Sequence, residues 1–148
     1  MFRYANSKID KNDTLALHLA IEMGHLKTST VLIEHGMNVN GEVSTKTPLH
    51  TAVQSHFAEI IPTLLDHGAK IDAVCMVNTI LQFGQYTPLH MAARFGYREA
   101  MNILMDRGAS LCLKDEVGNI PLESCLIPFK PQIQDAKKAL TTFAFNLH

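Results

Sequence analysis

Apolar and polar residues follow the same order along three stretches of this chain. Each stretch, called a block below, has 22 residues, carries Leu-His at its third and fourth positions and ends in Gly. The blocks are "LALHLAIEMGHLKTSTVLIEHG" (15–36), "TPLHTAVQSHFAEIIPTLLDHG" (47–68) and "TPLHMAARFGYREAMNILMDRG" (87–108). Apolar residues recur at helical spacing in two short runs of each block, so each block predicts a pair of helices.

The apolar residues at helical spacing define the face on which each pair is expected to pack. In the first block they are Leu17, Leu19, Ala20, Val31 and Leu32. The second and third blocks carry them at Leu49, Ala52, Ile60, Leu64 and Leu65, and at Leu89, Ala92, Ala93, Ala100, Ile103 and Leu104.

Helix boundaries can also be predicted. The second and third blocks begin with Thr-Pro, in which Thr caps a helix and Pro occupies its first position. Leu15 and Ala16 replace that pair in the first block, so its helix start is expected to be weaker. Gly96 is expected to end a first helix in a left-handed conformation, whereas His56 occupies that position in the second block. Pro62 falls near the first turn of a second helix, where proline is tolerated.

The spacing of the blocks indicates a repeat array. The Leu before the repeated His falls at Leu17, Leu49 and Leu89, and a degenerate fourth copy, "IPLESCL", places Leu122 in that position. A step near 33 residues is typical of helical repeats. One helix pair is too small to bury its own apolar face, so we expect the pairs to stack and share a continuous core.

Composition limits the classes of partner. The chain of 148 residues has 13 Lys and Arg against 14 Asp and Glu, so it lacks the basic excess typical of nucleic-acid binding. No apolar run is long enough to span a bilayer, and the first ten residues lack the apolar core of a signal peptide. Three scattered cysteines form no disulfide framework, which favours the cytoplasm or the nucleus.

Motifs of catalysis and metal binding are missing from the sequence. Seven of the eight histidines recur at block positions, and no HExxH or HxH spacing occurs. The segment "GHLKTST" (24–30) lacks the glycines of a phosphate-binding loop, and no GxSxG elbow is present. We therefore expect no enzyme activity, no cofactor and no metal.

The blocks resemble the ankyrin repeat family. The resemblance rests on TPLH at 47–50 and 87–90, its variant LALH at 15–18, the endings "EHG", "DHG" and "DRGAS", and the acidic residues Asp10, Glu42 and Asp115. It implies an all-α solenoid of about four helix-pair repeats with β-hairpin loops, forming a single domain over 1–148. The expected repeats are 8–40, 41–72, 80–113 and 114–148, with a capping helix in the segment "QIQDAKKALTTFAFNLH".

The resemblance also implies a non-enzymatic protein–protein interaction module or adaptor. Such arrays bind a partner protein through their concave face and hairpin tips, and we expect a monomer. An alternative is a constitutive inhibitor of Rel/NF-κB factors similar to the IκB group, including short viral IκB-like ankyrin proteins. No Asp-Ser-Gly motif for regulated degradation is present.

Partner contacts are then expected at variable exposed positions. At the ends of the first helices these are Glu22, Met23, Gln54, Ser55, Arg94 and Phe95. In the hairpins they are Thr14, Val43, Ser44, Lys46, Tyr86, Glu116, Val117 and Asn119. An aromatic beside an arginine is typical of a binding hot spot, although Phe95 could equally be partly buried against the next repeat.

One hairpin is longer than the others. From the final Gly of a block to the next helix start takes 11 residues after Gly36 and 12 after Gly108, but 19 after Gly68. The insertion, residues 73–86, carries the apolar residues Met76, Val77, Ile80, Leu81, Phe83 and Tyr86. Long loops are normally polar unless they are functional. Partner contact and local packing against a neighbouring repeat are both open for this segment.

Overall fold

Three helix pairs follow one another along the chain. The computed structural model describes residues 14–41, 46–76 and 85–123. The helices are α1 (Leu15–Glu22), α2 (Leu26–Glu34), α3 (Pro48–Gln54), α4 (Ile61–Asp66), α5 (Pro88–Arg94) and α6 (Arg98–Asp106). A short 3-10 helix, Ala58–Ile60, leads into α4 and places Pro62 in the first turn of that helix, as predicted.

The only strands in the described ranges form one antiparallel hairpin between the second and third blocks. They are β1 (Cys75–Met76) and β2 (Gln85–Tyr86). Cys75 lies opposite Tyr86 in this ladder. The predicted β-hairpin loop is therefore present at the long junction, and the other elements of the described ranges are helices.

The first helices stack in a row. Helix α1 packs against α3, and α3 packs against α5, while α4 packs against α6. The repeated Leu is buried in each block, at Leu17, Leu49 and Leu89, and Leu122 continues the series. Ala52 and Ala92 are fully buried beside them, because a methyl side chain allows close approach of neighbouring helices. The core is thus continuous along the stack.

Two residues of the expected packed face are exposed instead. Leu19 is 51% exposed and Val31 is 49% exposed. The positions equivalent to Leu19 are Thr51 and Met91, which are buried under the preceding block. Within the described residues no helix pair precedes α1, so the same position in the first block has no neighbour to cover it. The prediction that Leu19 is a core residue is wrong for this reason. The prediction for Val31 is also wrong, because that position lies outside the core in every block: its equivalents Thr63 and Ile103 are only partly buried.

The helix starts follow the Thr-Pro signal. Thr47 and Thr87 are extended, and the Oγ1 of each accepts a hydrogen bond from the backbone N–H three residues later, at 3.4 Å. Thr14, which precedes α1, makes no such side-chain bond. Since a missing cap costs about 1 kcal/mol of helix stability, the weaker start expected for the first block is confirmed.

The helix ends use left-handed residues. Gly24 and Gly96 have φ of 68° and 64° at the end of α1 and α5. His56 occupies the same position after α3 with φ of 54°, the sole positive-φ residue other than glycine in the described ranges. Such a conformation costs a residue with a Cβ about 1–2 kcal/mol. The strain is therefore located at one residue of the second block.

Buried imidazoles tie the first helices α3 and α5 to the backbone that follows their blocks. His50 Nε2 donates to the carbonyl oxygen of Tyr86 at 3.0 Å, and His90 Nε2 donates to that of Asn119 at 3.1 Å. A carbonyl can only accept, so Nε2 carries the hydrogen in both rings. Thr47 Oγ1, 2.8 Å from His50 Nδ1, then donates to the free lone pair of that nitrogen. Each TPLH segment is therefore both a helix cap and an inter-repeat link.

The hairpins are linked by carboxylate and amide side chains. Asn40 Oδ1 accepts from the backbone N–H of Lys70 at 2.7 Å. Asp72, at the equivalent position of the next block, accepts from Ser110 N–H at 2.9 Å. Both contacts satisfy a backbone donor just past the final Gly of the following block. The links repeat with the helices, which keeps the spacing of the blocks regular.

Some predicted features lie outside the described residues. These are the C-terminal capping helix, residues 124–148 of the fourth repeat, Val43 and Ser44, and the insertion residues Val77, Ile80, Leu81 and Phe83. Within the ranges that are described, no helix is long and apolar enough to cross a membrane.

The buried imidazole of His50 predicts a pH-dependent stability. Burial lowers the pKa of His50 from 6.5 to about 4, despite the opposing effect of the Tyr86 carbonyl. Between these values the unfolded chain binds more protons, so stability is complete above 6.5 and falls as the pH drops towards 4. We expect a loss of about 2 kcal/mol of unfolding free energy from this site at about pH 5, measurable by urea denaturation.

A His50→Gln variant provides the control for this prediction. It should start less stable than the parent at neutral pH, because the link to Tyr86 is altered, and should lose less stability on acidification. Equal losses in parent and variant would show that His50 is not the titrating group.

Ser29 offers a second test of the packing. It is fully buried in α2, and its Oγ has no hydrogen-bond partner within the described part of the chain. The equivalent positions carry Ile61 and Met101. A buried unsatisfied hydroxyl is destabilising, so Ser29→Ala should raise the unfolding free energy by about 1 kcal/mol in urea denaturation.

Thr28→Ala is the matched control, because Thr28 is exposed in the same helix and shares only the gain in helix propensity. The Ser29→Ala gain should exceed the Thr28→Ala gain. A variant less stable than the parent would mean that the hydroxyl is satisfied in solution.

Candidate protein-binding surface

The ends of the first helices form one row of side chains across the stack. Glu22, Gln54 and Arg94 share one block position, and Met23, Ser55 and Phe95 share the next; these six residues are called the helix-end row below. Their helices stack in the order α1, α3, α5, so the row crosses three neighbouring blocks. None of the six is buried. The predicted positions are thus available at the surface.

Phe95 is the large aromatic of the row, and its side chain is 46% exposed. Its ring lies 6.3 Å from the ring of His56, and His56 in turn lies 4.6 Å from the ring of Tyr97. The ring is therefore partly covered from the preceding block, whereas the expected cover was the next repeat, and its role as a partner contact stays a prediction. One part of the ring packs beside the preceding block, and the remainder is open to solvent.

Arg94 is held against the hairpin. Its Nη1 donates to the hydroxyl oxygen of Tyr86 at 3.3 Å, and its Cζ lies 5.7 Å from the centroid of the Tyr86 ring. This distance is within the range of a cation–π contact. No acidic side chain in the described ranges lies within ion-pair distance of Arg94. The guanidinium is positioned by an aromatic ring, and its charge is not neutralised by a carboxylate.

Tyr86 itself is not an exposed contact residue, and that prediction is wrong. It is only 7% exposed, it pairs with Cys75 across the hairpin ladder, and its ring lies edge-on to His90. The ladder directs Tyr86 and Cys75 to the buried side of the hairpin together. Burial raises the pKa of the Cys75 thiol to about 11, so this thiol is not a nucleophile at neutral pH.

The described base of the insertion has exposed apolar side chains next to the buried Cys75 and Tyr86. Met76, which follows Cys75, is 55% exposed, and Val74, which precedes Cys75, is 41% exposed. The base of the hairpin therefore combines local packing by Cys75 and Tyr86 with an open apolar side chain at Met76. The tip residues predicted to contact a partner lie outside the described residues.

Lys46 precedes the second block and lies beside the row. Its Nζ is 3.8 Å from Glu22 Oε1, an ion pair in which both side chains are partly exposed. An exposed pair of this kind contributes at most about 1 kcal/mol, so its main effect is to neutralise the first end of the row.

The turn after the third block contains residues that stabilise the fold and residues that are exposed to solvent. Asp115 Oδ1 accepts from the backbone N–H groups of Val117 and Asn119 at 3.0 and 2.8 Å. Asn119 also supplies the carbonyl that accepts from His90, so its backbone stabilises the fold. Glu116 is exposed and Val117 is 73% exposed, which leaves these two at the surface as predicted.

Sequence reasoning missed part of this surface. The contact of His56 with Phe95 and Tyr97, and the exposed Val74, were not expected. The replacement of Gly by His56 at a left-handed position was the available signal, because a strained residue marks a candidate functional position.

No group of three or more His, Cys, Asp or Glu side chains that could hold a metal ion occurs within the described residues. His35 and His67 donate from Nδ1 to the carbonyl oxygens of Val31 and Thr63, at 2.8 and 2.9 Å, so both rings cap helix ends. The surface is a rigid row with apolar, cationic and amide side chains.

Comparison with known proteins agrees with this architecture. The family model described as ankyrin repeats in three copies matches residues 2–75, and the single ankyrin repeat model matches residues 84–116. A transient receptor potential cation channel subfamily A member 1 homolog of Caenorhabditis elegans is 37% identical over 73 residues. That match covers 49% of this chain and 6% of the channel homolog. With these matches and the stacked helix pairs, the chain belongs to the ankyrin repeat family.

Proposed function

We propose that the protein is a non-enzymatic interaction module that binds a segment of a partner protein across the helix-end row. The observation that carries this proposal is the open Phe95 ring beside Arg94, at the α5 end of a surface built on packed helices. Ankyrin repeats indicate a protein–protein interaction module, and this row is where the chain presents an aromatic and an arginine together.

The physical basis is the usual composition of binding hot spots. Aromatic and arginine side chains contribute a large share of the binding free energy at interfaces. Both residues lie at the end of α5, whose remaining residues from Pro88 to Ala93 are buried. A rigid support reduces the entropy lost on association, so the row is suited to binding without rearrangement.

Inhibition of Rel/NF-κB factors is a narrower hypothesis for the same surface, based on the sequence resemblance. A titration of a purified Rel-homology domain into the protein tests it directly. Absence of binding at micromolar concentrations would remove this hypothesis and leave the general one intact.

A selection of random displayed peptides tests the proposed function. Clones enriched on the parent should bind Phe95→Ala at least about tenfold more weakly, because truncation of a hot-spot aromatic costs about 2 kcal/mol or more. Affinity is measured for each purified clone, and a thermal melt checks that the variant is folded.

Val31→Ala is the matched control, since Val31 is an exposed apolar residue outside the row. It should leave the affinities unchanged. If no clone is enriched, or if enriched clones bind Phe95→Ala as well as the parent, the proposed function is wrong.

A further inference from the structure

We propose that the helix-end row recognises an acidic residue adjacent to an apolar residue in an extended partner segment. Arg94 would bind the carboxylate, and Phe95 would contact the apolar side chain. The inference rests on the proposed function and adds the chemistry of the partner to it. Three observations carry it: Arg94 has no ion-pair partner in the described ranges, its guanidinium contacts Tyr86, and the Phe95 ring is open.

Arg94 differs from the cations along the stack that have an acidic partner, and from those without one in the described ranges, which are exposed. Lys46 faces Glu22 at 3.8 Å, and Arg107 faces Asp66 at 2.7 Å. Arg94 lacks such a partner in the described ranges, although it is partly buried. A partly desolvated cation without a counter-ion attracts a carboxylate more strongly than a neutralised pair does. Within the row, the favourable position for an acidic group is therefore at Arg94.

The guanidinium is also held in place. Tyr86 is buried in the hairpin ladder, and its hydroxyl and ring fix Arg94 from one side. An arginine has five N–H donors, and this contact uses one of them. The remaining donors can bind both oxygens of a carboxylate, a geometry that lysine cannot reproduce. Because Tyr86 already holds the guanidinium in place, less entropy is lost when a carboxylate binds.

Phe95 follows Arg94 directly, so an apolar neighbour of the bound acid would meet its open ring. Beyond it, Tyr97 lies beside His56. Burial raises the pKa of Tyr97, and the carboxylates of Glu99 and Glu59 add to this effect. The Glu59 and Glu99 carboxylates therefore add negative charge near Tyr97. An acidic residue of the partner is less favoured beside Tyr97 than beside the Arg94 cation.

The size of the expected effect follows from charged hydrogen bonds. Such bonds contribute about 1.5–3 kcal/mol, which corresponds to a preference of roughly tenfold to a hundredfold over a neutral amide of the same shape. Part of this preference depends on ionic strength, because Arg94 is not fully buried.

Oriented peptide pools test the inference. The probes are fluorescent random peptides with a fixed central pair: Glu-Leu, Leu-Glu, Gln-Leu, Leu-Gln, Lys-Leu or Leu-Lys. The parent should bind one of the two Glu pools at least about tenfold more tightly than the corresponding Gln pool, with Lys weakest. Arg94→Gln should remove the difference, and Arg94→Glu should shift the preference to Lys. Added salt should reduce the preference in the parent.

The controls separate this inference from the proposed function. Arg107→Gln removes a positive charge outside the row and should keep the preference for Glu. Arg94→Lys keeps the positive charge but lacks the paired N–H donors of the guanidinium, so its preference for Glu over Gln should be smaller than that of the parent. Thermal melts identify any variant that fails to fold. If a variant fails, binding of the Glu and Gln pools to the parent still shows whether an acidic residue is preferred.

Two results would contradict the proposals, and they can be distinguished from each other. If pools bind the parent and Phe95→Ala weakens them, but Glu and Gln pools bind equally, the acidic specificity is wrong and the interaction module stands. If no pool binds, or if Phe95→Ala has no effect on any pool, both proposals fail.

Discussion

The hydrogen bond from a buried imidazole to the backbone of the next block is the contact on which this architecture depends. It joins His50 to Tyr86 and His90 to Asn119, and it places the start of each following block against the preceding first helix. A backbone carbonyl buried without a partner would destabilise the stack, so the link satisfies a group that the packing would otherwise leave unpaired. The bond that Nδ1 of His50 accepts from Thr47 requires a neutral ring, and burial of His50 keeps it neutral at physiological pH.

Much of the fold could be predicted because each repeat carries its own local signals. Thr-Pro starts, glycine ends and apolar spacing all depend on a few neighbouring residues, and they repeat in phase. The errors arise where a residue depends on its surroundings in space. Leu19 has the right spacing for the core but lies at a position that only a preceding helix pair would cover. Tyr86 was expected in an open loop because its pairing with Cys75, across the insertion, leaves no periodic signal.

The candidate site was predictable to a similar extent. The positions of Arg94 and Phe95 at the surface follow from their place in the block, since side chains at the end of the first helix point away from the shared core. The contact of Arg94 with Tyr86 could not be read from the sequence, because it joins a hairpin residue to a helix end. His56 illustrates the same limit: the sequence shows that it replaces a glycine, but the rings beside it are set by the stacking of two blocks.

The Cys75–Tyr86 pair has a consequence for how such a protein can diversify. Lengthening a loop above a closed pair costs little free energy, because the entropy of closure grows only with the logarithm of loop length. Since the pair already satisfies the packing beneath it, residues above it can be inserted or exchanged while the repeats on either side keep their contacts. The junction between the second and third blocks can thus change in length while the Cys75–Tyr86 pair and the packing beneath it are kept.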